Sequence, residues 1–123
     1  MPTAASRDLG ERTFIFACET VTYCRELSKE PGVVRNIAWQ LSEAATSAAA
    51  NYQEAKGAYS RREFAAKNSI VLKELKESKL WYRVIIKCEL GSLSEPKRLV
   101  KEADELVAMF TAGMKRLNPV GSA

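Results

Sequence analysis

The chain has 123 residues, of which 46% are hydrophobic and 28% charged, and this composition is typical of one globular domain rather than of a disordered chain. Nineteen Lys and Arg against 15 Asp and Glu give a net charge of +4. The sequence contains no histidine, which excludes Ser-His-Asp and Cys-His catalytic pairs as well as metal sites built on histidine.

The first two helices are predicted from apolar residues that recur every three or four positions. The first extends from about residue 11 to about residue 29, and Glu30-Pro31-Gly32 ends it. Its predicted core face consists of Phe14, Ala17, Cys18, Val21 and Cys24. The second extends from about residue 34 to about residue 56. Its apolar stripe consists of Val34, Ile37, Ala38, Leu41, Ala45, Ala48 and Tyr52.

The third and fourth helices begin at capping residues. Ser60 is expected to accept a hydrogen bond from the Glu63 N–H, and the Glu63 carboxylate one from the Ser60 N–H. This third helix extends to about residue 90, and its core face consists of Phe64, Val71, Leu75, Tyr82 and Ile85. Ser94 caps the fourth helix, with Glu95 and Pro96 in its first turn. The apolar stripe there consists of Leu99, Val100, Ala103, Leu106, Val107, Phe110 and Met114.

Four helices joined by short breaks predict an all-α protein, an antiparallel up-down-up-down four-helix bundle. The predicted bundle domain covers residues 10–118, with flexible tails at 1–9 and 119–123. The sequence shows no signal peptide and no apolar run of the ~18 residues that cross a bilayer, which predicts a cytoplasmic protein without a membrane partner. Cys18, Cys24 and Cys88 form no C-x-x-C pair and are expected to be buried thiols.

The third helix carries the whole excess of positive charge. Between residues 61 and 90 it has eight Lys and Arg and four Glu, a net of +4. Steps of 3, 3, 4 and 4 place five of the cations on one helical face: Lys73, Lys76, Lys79, Arg83 and Lys87. Such a face can neutralise phosphates and bind nucleic acid without sequence preference, or it can be a solvated lysine-rich surface. Tyr59, beside Arg61 and Arg62, is the best candidate for stacking on a base.

Two further groups of residues are singled out by their positions on the helices. Leu72, Leu80 and Val84 share the side of the basic face and are expected to form a subunit contact. Asn51, Glu54 and Glu74 interrupt apolar stripes, so they predict either a carboxylate site or a structural hydrogen-bond network. Because di-metal bundles use Glu-x-x-His motifs, the network is favoured, with Arg61 or Arg62 as a partner and no cofactor.

Several segments of the chain resemble a known family. These are Ala50-Asn51-Tyr52-Gln53-Glu54-Ala55, Ser60-Arg61-Arg62-Glu63-Phe64, Leu72-Lys73-Glu74 with Glu77 and Trp81, and Glu102-Ala103-Asp104-Glu105-Leu106. In order and spacing they are similar to the bacterial four-helix-bundle proteins encoded in intervening sequences of 23S rRNA genes, over roughly residues 10–117. The resemblance implies a homopentameric ring without a settled molecular function. It also implies kinship with accessory proteins of diversity-generating retroelements, which associate with nucleic acid and a reverse transcriptase.

Residues and resemblance together predict a non-enzymatic, cytoplasmic homo-oligomer, expected to be a pentamer. It is expected to act as a scaffold or accessory module with weak, salt-sensitive affinity for RNA or DNA, and a nucleic-acid-processing protein is a candidate partner. The alternative is a purely structural, protein-binding ring without affinity for nucleic acid. The two differ in whether the basic face is free in the assembly.

Overall fold

The computed structural model describes residues 9–117, which form four helices and, within that range, no strand. The helices are α1 (Leu9–Leu27), α2 (Val33–Lys56), α3 (Arg61–Lys87) and α4 (Ser94–Leu117). Short connections make successive helices antiparallel neighbours: α1 packs on α2, α2 on α3 and α3 on α4, and α4 closes back onto α1. The predicted four-helix bundle is confirmed. The predicted tails lie outside the described residues, except that Leu9 begins α1.

The core is built from the stripes predicted for α2, α3 and α4. Leu41 of α2, Leu75 and Tyr82 of α3, and Leu99 and Leu106 of α4 have no exposed surface. Alanines at positions 38, 44, 45 and 48 are also buried, and small side chains of this kind let helix axes approach closely. Aromatic rings reach across the core between non-adjacent helices: Tyr52 and Phe110 meet edge to face, with ring centroids 5.3 Å apart.

The prediction for the core face of α1 was wrong for three of its five residues. Phe14, Cys18 and Val21 are exposed, and only Ala17 and Cys24 of the five predicted residues are buried. The buried residues of this helix are Thr13, Phe16, Ala17, Thr20, Cys24 and Leu27. Two threonines can occupy the core because their hydroxyls have partners. The Thr13 hydroxyl donates to the Leu9 carbonyl oxygen at 2.8 Å, and the Thr20 hydroxyl shares a buried 2.7 Å hydrogen bond with the Tyr82 hydroxyl.

The capping box of α3 was half right. The Glu63 N–H donates to Ser60 Oγ at 3.0 Å, as expected. The Glu63 carboxylate, however, accepts from the Tyr59 N–H at 2.8 Å rather than from the Ser60 N–H. The carboxylate thereby ties down the backbone of the preceding loop, while the Tyr59 side chain remains 98% exposed.

The third helix ends at Lys87, three residues before its predicted end. Glu89 has a left-handed backbone conformation with φ of 52°. The Glu89 N–H donates to the Ile86 carbonyl oxygen at 3.2 Å, and the Leu90 N–H to the Ile85 carbonyl oxygen at 3.0 Å. This is the Schellman arrangement that terminates helices. Leu90 then packs against the core, and Gly91 continues the turn with φ of 67°.

The seam between α1 and α4 is the smallest of the four helix contacts, and ion pairs span it. Arg12 holds Glu102 with two hydrogen bonds of 2.7 and 3.0 Å, and its guanidinium also reaches Glu105 at 3.0 Å. Nearer the other end, Arg98 pairs with Glu19 at 3.0 Å. Bidentate arginine–carboxylate contacts fix the relative position of two helices as well as attracting them.

The three cysteines were expected to be buried, and this was wrong for two of them. Cys18 and Cys88 are exposed, and Cys24 is buried. Cys18 lies on the same exposed face of α1 as Phe14 and Val21. Cys88 lies at the C-terminal end of α3. Burial raises the pKa of the Cys24 thiol to about 12.

Candidate nucleic-acid interface

Four of the five cations of the predicted basic face stand in solvent on α3. Lys73, Lys76, Arg83 and Lys87 are exposed, and none of them forms a salt bridge with another residue between 9 and 117. From Lys73 to Lys87 they extend over about 21 Å at 1.5 Å per residue. A row of uncompensated cations on a rigid helix attracts a phosphate backbone and loses that attraction as salt is added.

Lys79 differs from its neighbours on this face. Its ammonium lies 2.6 Å from an Asp104 carboxylate oxygen on α4, and its side chain is two-thirds covered. Since this pairing neutralises its charge and directs it along the α3–α4 seam, Lys79 adds little to the field of the row. We use the name basic row for Lys73, Lys76, Arg83 and Lys87.

Tyr59, Arg61 and Arg62 form a separate cationic group at the start of α3. All three are exposed, and Tyr59 presents almost its whole side chain to solvent. Arg62 precedes Lys73 by eleven residues, or about 16 Å along the helix. The structure therefore places this group beyond the end of the basic row, and a ligand that touched both would have to span most of α3.

The three polar residues expected to form one network are only partly connected. Asn51 donates to the Ser47 carbonyl oxygen at 2.9 Å, and Glu54 accepts from Lys67 at 2.6 Å. Neither they nor Glu74 forms a hydrogen bond with Arg61 or Arg62 among residues 9–117. Asn51 also donates to Ser47 Oγ at 3.2 Å, and the Glu74 carboxylate is hydrogen-bonded by the Ser47 side chain. The expected network is therefore right for Asn51 and Glu74, which Ser47 links across α2 and α3, and wrong for Glu54 and for the two arginines.

Glu74 lies half-buried in a shallow groove between α2 and α3. Desolvation raises the pKa of its carboxyl, and the negative charge of Glu77 raises it further. Ser47 and Glu43 of α2 line the same groove. Within the described part of the chain no cluster of three or more His, Cys, Asp or Glu residues could hold a metal ion.

The residues expected to make a subunit contact are only partly available. Leu80 is 49% exposed, whereas Leu72 and Val84 are half-buried and Leu72 packs against the core. Larger apolar side chains stand in solvent on α1 and α2: Phe14 is 56% exposed and Trp39 62%.

A shallow apolar groove runs between α1 and α2, and sequence reasoning missed it. Phe14, Cys18 and Val21 form one wall, and Thr46 and Ala49 of α2 form the other. A signal existed in the sequence: positions 13, 16, 17, 20, 24 and 27 also follow helical spacing. If Thr13 and Thr20 are counted as core residues, the same spacing predicts that Phe14 and Val21 face solvent. We call the surface formed by Phe14, Cys18, Val21, Thr46 and Ala49 the α1–α2 groove.

A comparison with protein families decides what kind of chain this is. Residues 8–112 match the family model described as 23S rRNA-intervening sequence protein. The chain belongs to this family. Membership confirms the resemblance seen in the sequence, and the match extends from the start of α1 almost to the end of α4.

A solved structure of similar fold supports the family assignment. It is that of a protein of unknown function from the S23 ribosomal protein family of Bacteroides thetaiotaomicron, 26% identical in sequence, with a TM-score of 0.79. The similarity covers 87% of our chain and 98% of the Bacteroides chain. A search of the curated proteins finds no match. The function of that protein is unknown.

In the described part of our chain, no helix is long and apolar enough to cross a membrane.

Proposed function

We propose that this protein is a non-enzymatic, cytoplasmic accessory module that assembles into a homopentamer and binds RNA or DNA through the basic row of α3. The observation that carries the proposal is the row itself, four exposed cations without a salt bridge to another described residue. The family description names the 23S rRNA intervening sequence, which makes structured RNA the first ligand to try.

The distribution of acidic residues supports this choice of surface. On α1 and α4, carboxylates of Glu19, Glu102 and Glu105 are paired with arginines. The basic row has no such compensation among the described residues, and Glu77 at its border is half-buried and accepts from the Trp81 indole N–H at 3.2 Å. The net positive charge of the bundle is concentrated on α3, where Arg61–Lys87 carries eight Lys and Arg against three Glu, and it can act there on a single polyanion.

Self-association is proposed through the α1–α2 groove. Phe14 and Val21 are 56% and 41% exposed, and the opposite wall consists of small side chains that let another helix come close. A second copy of the chain would cover this surface and leave α3 open to solvent. Ring symmetry would then repeat the basic row once in every subunit, which multiplies the field that a long nucleic acid experiences.

One observation favours a second candidate function. The same groove, together with Trp39 at 62% exposure, is a surface of the kind that protein partners cover, since aromatic residues are enriched at such interfaces. A protein-binding ring without affinity for nucleic acid would use this face and leave the basic row as a solvated surface.

Fluorescence anisotropy with structured RNA and duplex DNA across a salt series tests the proposal. The test variant combines Lys73→Glu, Lys76→Glu and Arg83→Glu. The matched control combines Arg25→Glu, Lys97→Glu and Lys101→Glu, three exposed cations on α1 and α4 with the same total change of charge. Each phosphate contact contributes about 0.7–0.9 to the slope of log K against log salt. For each protomer that contacts the nucleic acid, the three substitutions should therefore reduce the magnitude of this slope by about 2–3.

Equal loss of binding in both variants would mean that only net charge matters and would remove α3 as the specific surface. Absence of binding by the unchanged protein at low salt would favour the protein-binding ring. For the assembly, light scattering should give about five times the 13.7 kDa chain mass. Phe14→Glu should lower this mass and Leu80→Glu should not; the reverse result would move the interface to α3.

A further inference from the structure

A cavity of about 340 Å³ opens at the end of the bundle where α1 and α3 begin and α2 and α4 end. This volume lies near the lower end of the range of about 300–1,000 Å³ that small-molecule sites occupy. Five aromatic and thioether side chains line it: Tyr52, Phe64, Phe110, Met109 and Met114. The basic row and the α1–α2 groove contribute no residue to it.

Asn68 supplies the polar group at the inner side of this cavity. It lines the cavity, and only 5% of the residue is exposed. Its side-chain nitrogen donates to the Phe64 carbonyl oxygen at 2.9 Å. Because a carbonyl oxygen can only accept, the amide is held in this orientation, and its Oδ1 is left as a hydrogen-bond acceptor. No described residue donates to that oxygen.

Two arginines supply positive charge at the solvent-exposed side of the cavity. Arg61 and Arg116 both line the cavity and are both exposed. Neither forms a salt bridge with a carboxylate within residues 9–117. Guanidinium groups bind phosphate through two parallel hydrogen bonds. Arg61 precedes Asn68 by two helical turns, or about 10 Å along α3, a separation comparable to the length of one nucleotide.

Gly113 keeps the wall on α4 open. A side chain at this position would meet only the Arg116 guanidinium, at 3.8 Å from the added Cβ. Glycine inside a helix lowers its stability relative to alanine, and no close packing requires it here. The missing side chain therefore leaves space at the wall of the cavity and is not required by the packing of the helices.

We infer that this cavity binds a nucleoside 5′-monophosphate whose base carries an exocyclic amine, adenosine monophosphate being the simplest case. The base lies between the aromatic walls, where stacking is tolerant of base identity. Its amine donates to Asn68 Oδ1, and its phosphate lies on Arg61 and Arg116. A fatty acid would satisfy the arginines but would offer no donor to Asn68 Oδ1, which disfavours it relative to the nucleotide.

The same chemistry can come from a free mononucleotide or from an unpaired nucleotide of a strand. The strand form rests on the proposed function, because the basic row would hold the rest of the strand. The free form does not depend on the basic row. Calorimetric titrations with adenosine monophosphate and with a short single-stranded oligoadenylate distinguish the two sources.

The titrations compare adenosine monophosphate with purine riboside 5′-monophosphate, which lacks only the amine, and with adenosine, which lacks only the phosphate. Each loss should weaken binding about tenfold, the effect of one good hydrogen-bonded group. In Asn68→Leu the preference for the amine should fall to about one. In Gly113→Leu the added side chain should abolish binding by filling the cavity, and thermal melting should confirm that both variants remain folded.

If the variants change the affinity of the oligoadenylate but free adenosine monophosphate does not bind, the site takes a nucleotide within a strand. If neither ligand responds to Asn68→Leu or to Gly113→Leu, the inference is overturned. The charge-reversal variant of the basic row separates this result from the proposed function. It should lose salt-dependent RNA binding and retain the affinity for free adenosine monophosphate.

Discussion

The hydrogen bond between Thr20 and Tyr82 joins α1 to α3 across the core, and its removal from one side should destabilise the bundle. Both residues are fully buried, and their hydroxyl oxygens are 2.7 Å apart. In Thr20→Val the shape of the side chain is kept, but the Tyr82 hydroxyl is left buried without a partner. An orphaned group of this kind costs about 1–3 kcal/mol of the free energy of unfolding.

Removing the other side should cost less. In Tyr82→Phe the remaining Thr20 hydroxyl can turn to the carbonyl oxygen four residues earlier in its own helix. Thr13 and Thr46 already do so at 2.8 Å. We expect a loss of about 0.5–1.5 kcal/mol, the net contribution of an ordinary hydrogen bond. The double variant Thr20→Val, Tyr82→Phe has no orphaned group and should lose less than the sum of the two single variants.

Urea denaturation followed by circular dichroism, at one protein concentration, measures the three free energies and therefore the coupling. The expected coupling is about 1–2 kcal/mol. At about 4 °C per kcal/mol for a domain of this size, Thr20→Val alone should lower Tm by about 4–12 °C. Thr46→Val is the matched control, because it removes an exposed hydroxyl of the same type and should change Tm little. Since Thr46 lies in the α1–α2 groove, light scattering should show that this variant keeps the oligomeric mass of the unchanged protein. Additive losses in the double variant would refute the coupling.

Three other outcomes are expected. Gly32→Ala should lower the free energy of unfolding by about 1–3 kcal/mol, because Gly32 has φ of 83° and ψ of −137°. The cause would be backbone strain alone, since an added Cβ would meet nothing within 4 Å. Unchanged denaturation would show that the loop relaxes without cost. Stability should fall above about pH 9, because burial raises the pKa of Tyr82 and, to about 12, that of Cys24. The unfolded chain then releases protons that the folded chain keeps, which costs about 1.4 kcal/mol per proton and pH unit; denaturation midpoints that stay constant from pH 8 to pH 11 would contradict this sign. A thiol reagent should modify Cys88 in the native protein and Cys24 only in denaturant, as peptide mass mapping can show; rapid native labelling of Cys24 would contradict its burial.

Most of the fold could be predicted because apolar periodicity and burial coincide on α2, α3 and α4. The exception on α1 has a physical cause. Thr20 is core material only because Tyr82, 62 residues away in sequence, supplies its hydrogen bond, and local pattern cannot show a partner at that distance. The end of α3 was misplaced for a related reason, since Leu90 is drawn into the core and Glu89 accepts a backbone conformation usually taken by glycine.

The candidate site was predictable as a pattern of charge but not as a set of pairs. Helical spacing placed five cations on one face, yet the pairing of Lys79 with Asp104 depends on how α3 packs against α4. The cavity at the end of the bundle was not predicted at all. Its signal was present in Asn68, a polar residue four positions after Phe64 and three before Val71 on the core stripe, but its space arises only where the ends of helices converge.

The ion-paired seam between α1 and α4 has a consequence for how the bundle opens. The other three helix contacts join neighbours in the chain and can form early, whereas this one closes the longest loop and so carries the largest entropic cost. Its arginines remain partly exposed, so added salt weakens their attraction while the apolar core is unaffected. Ionic strength should therefore set how often the first and last helices separate, and amide protons along this seam should exchange first.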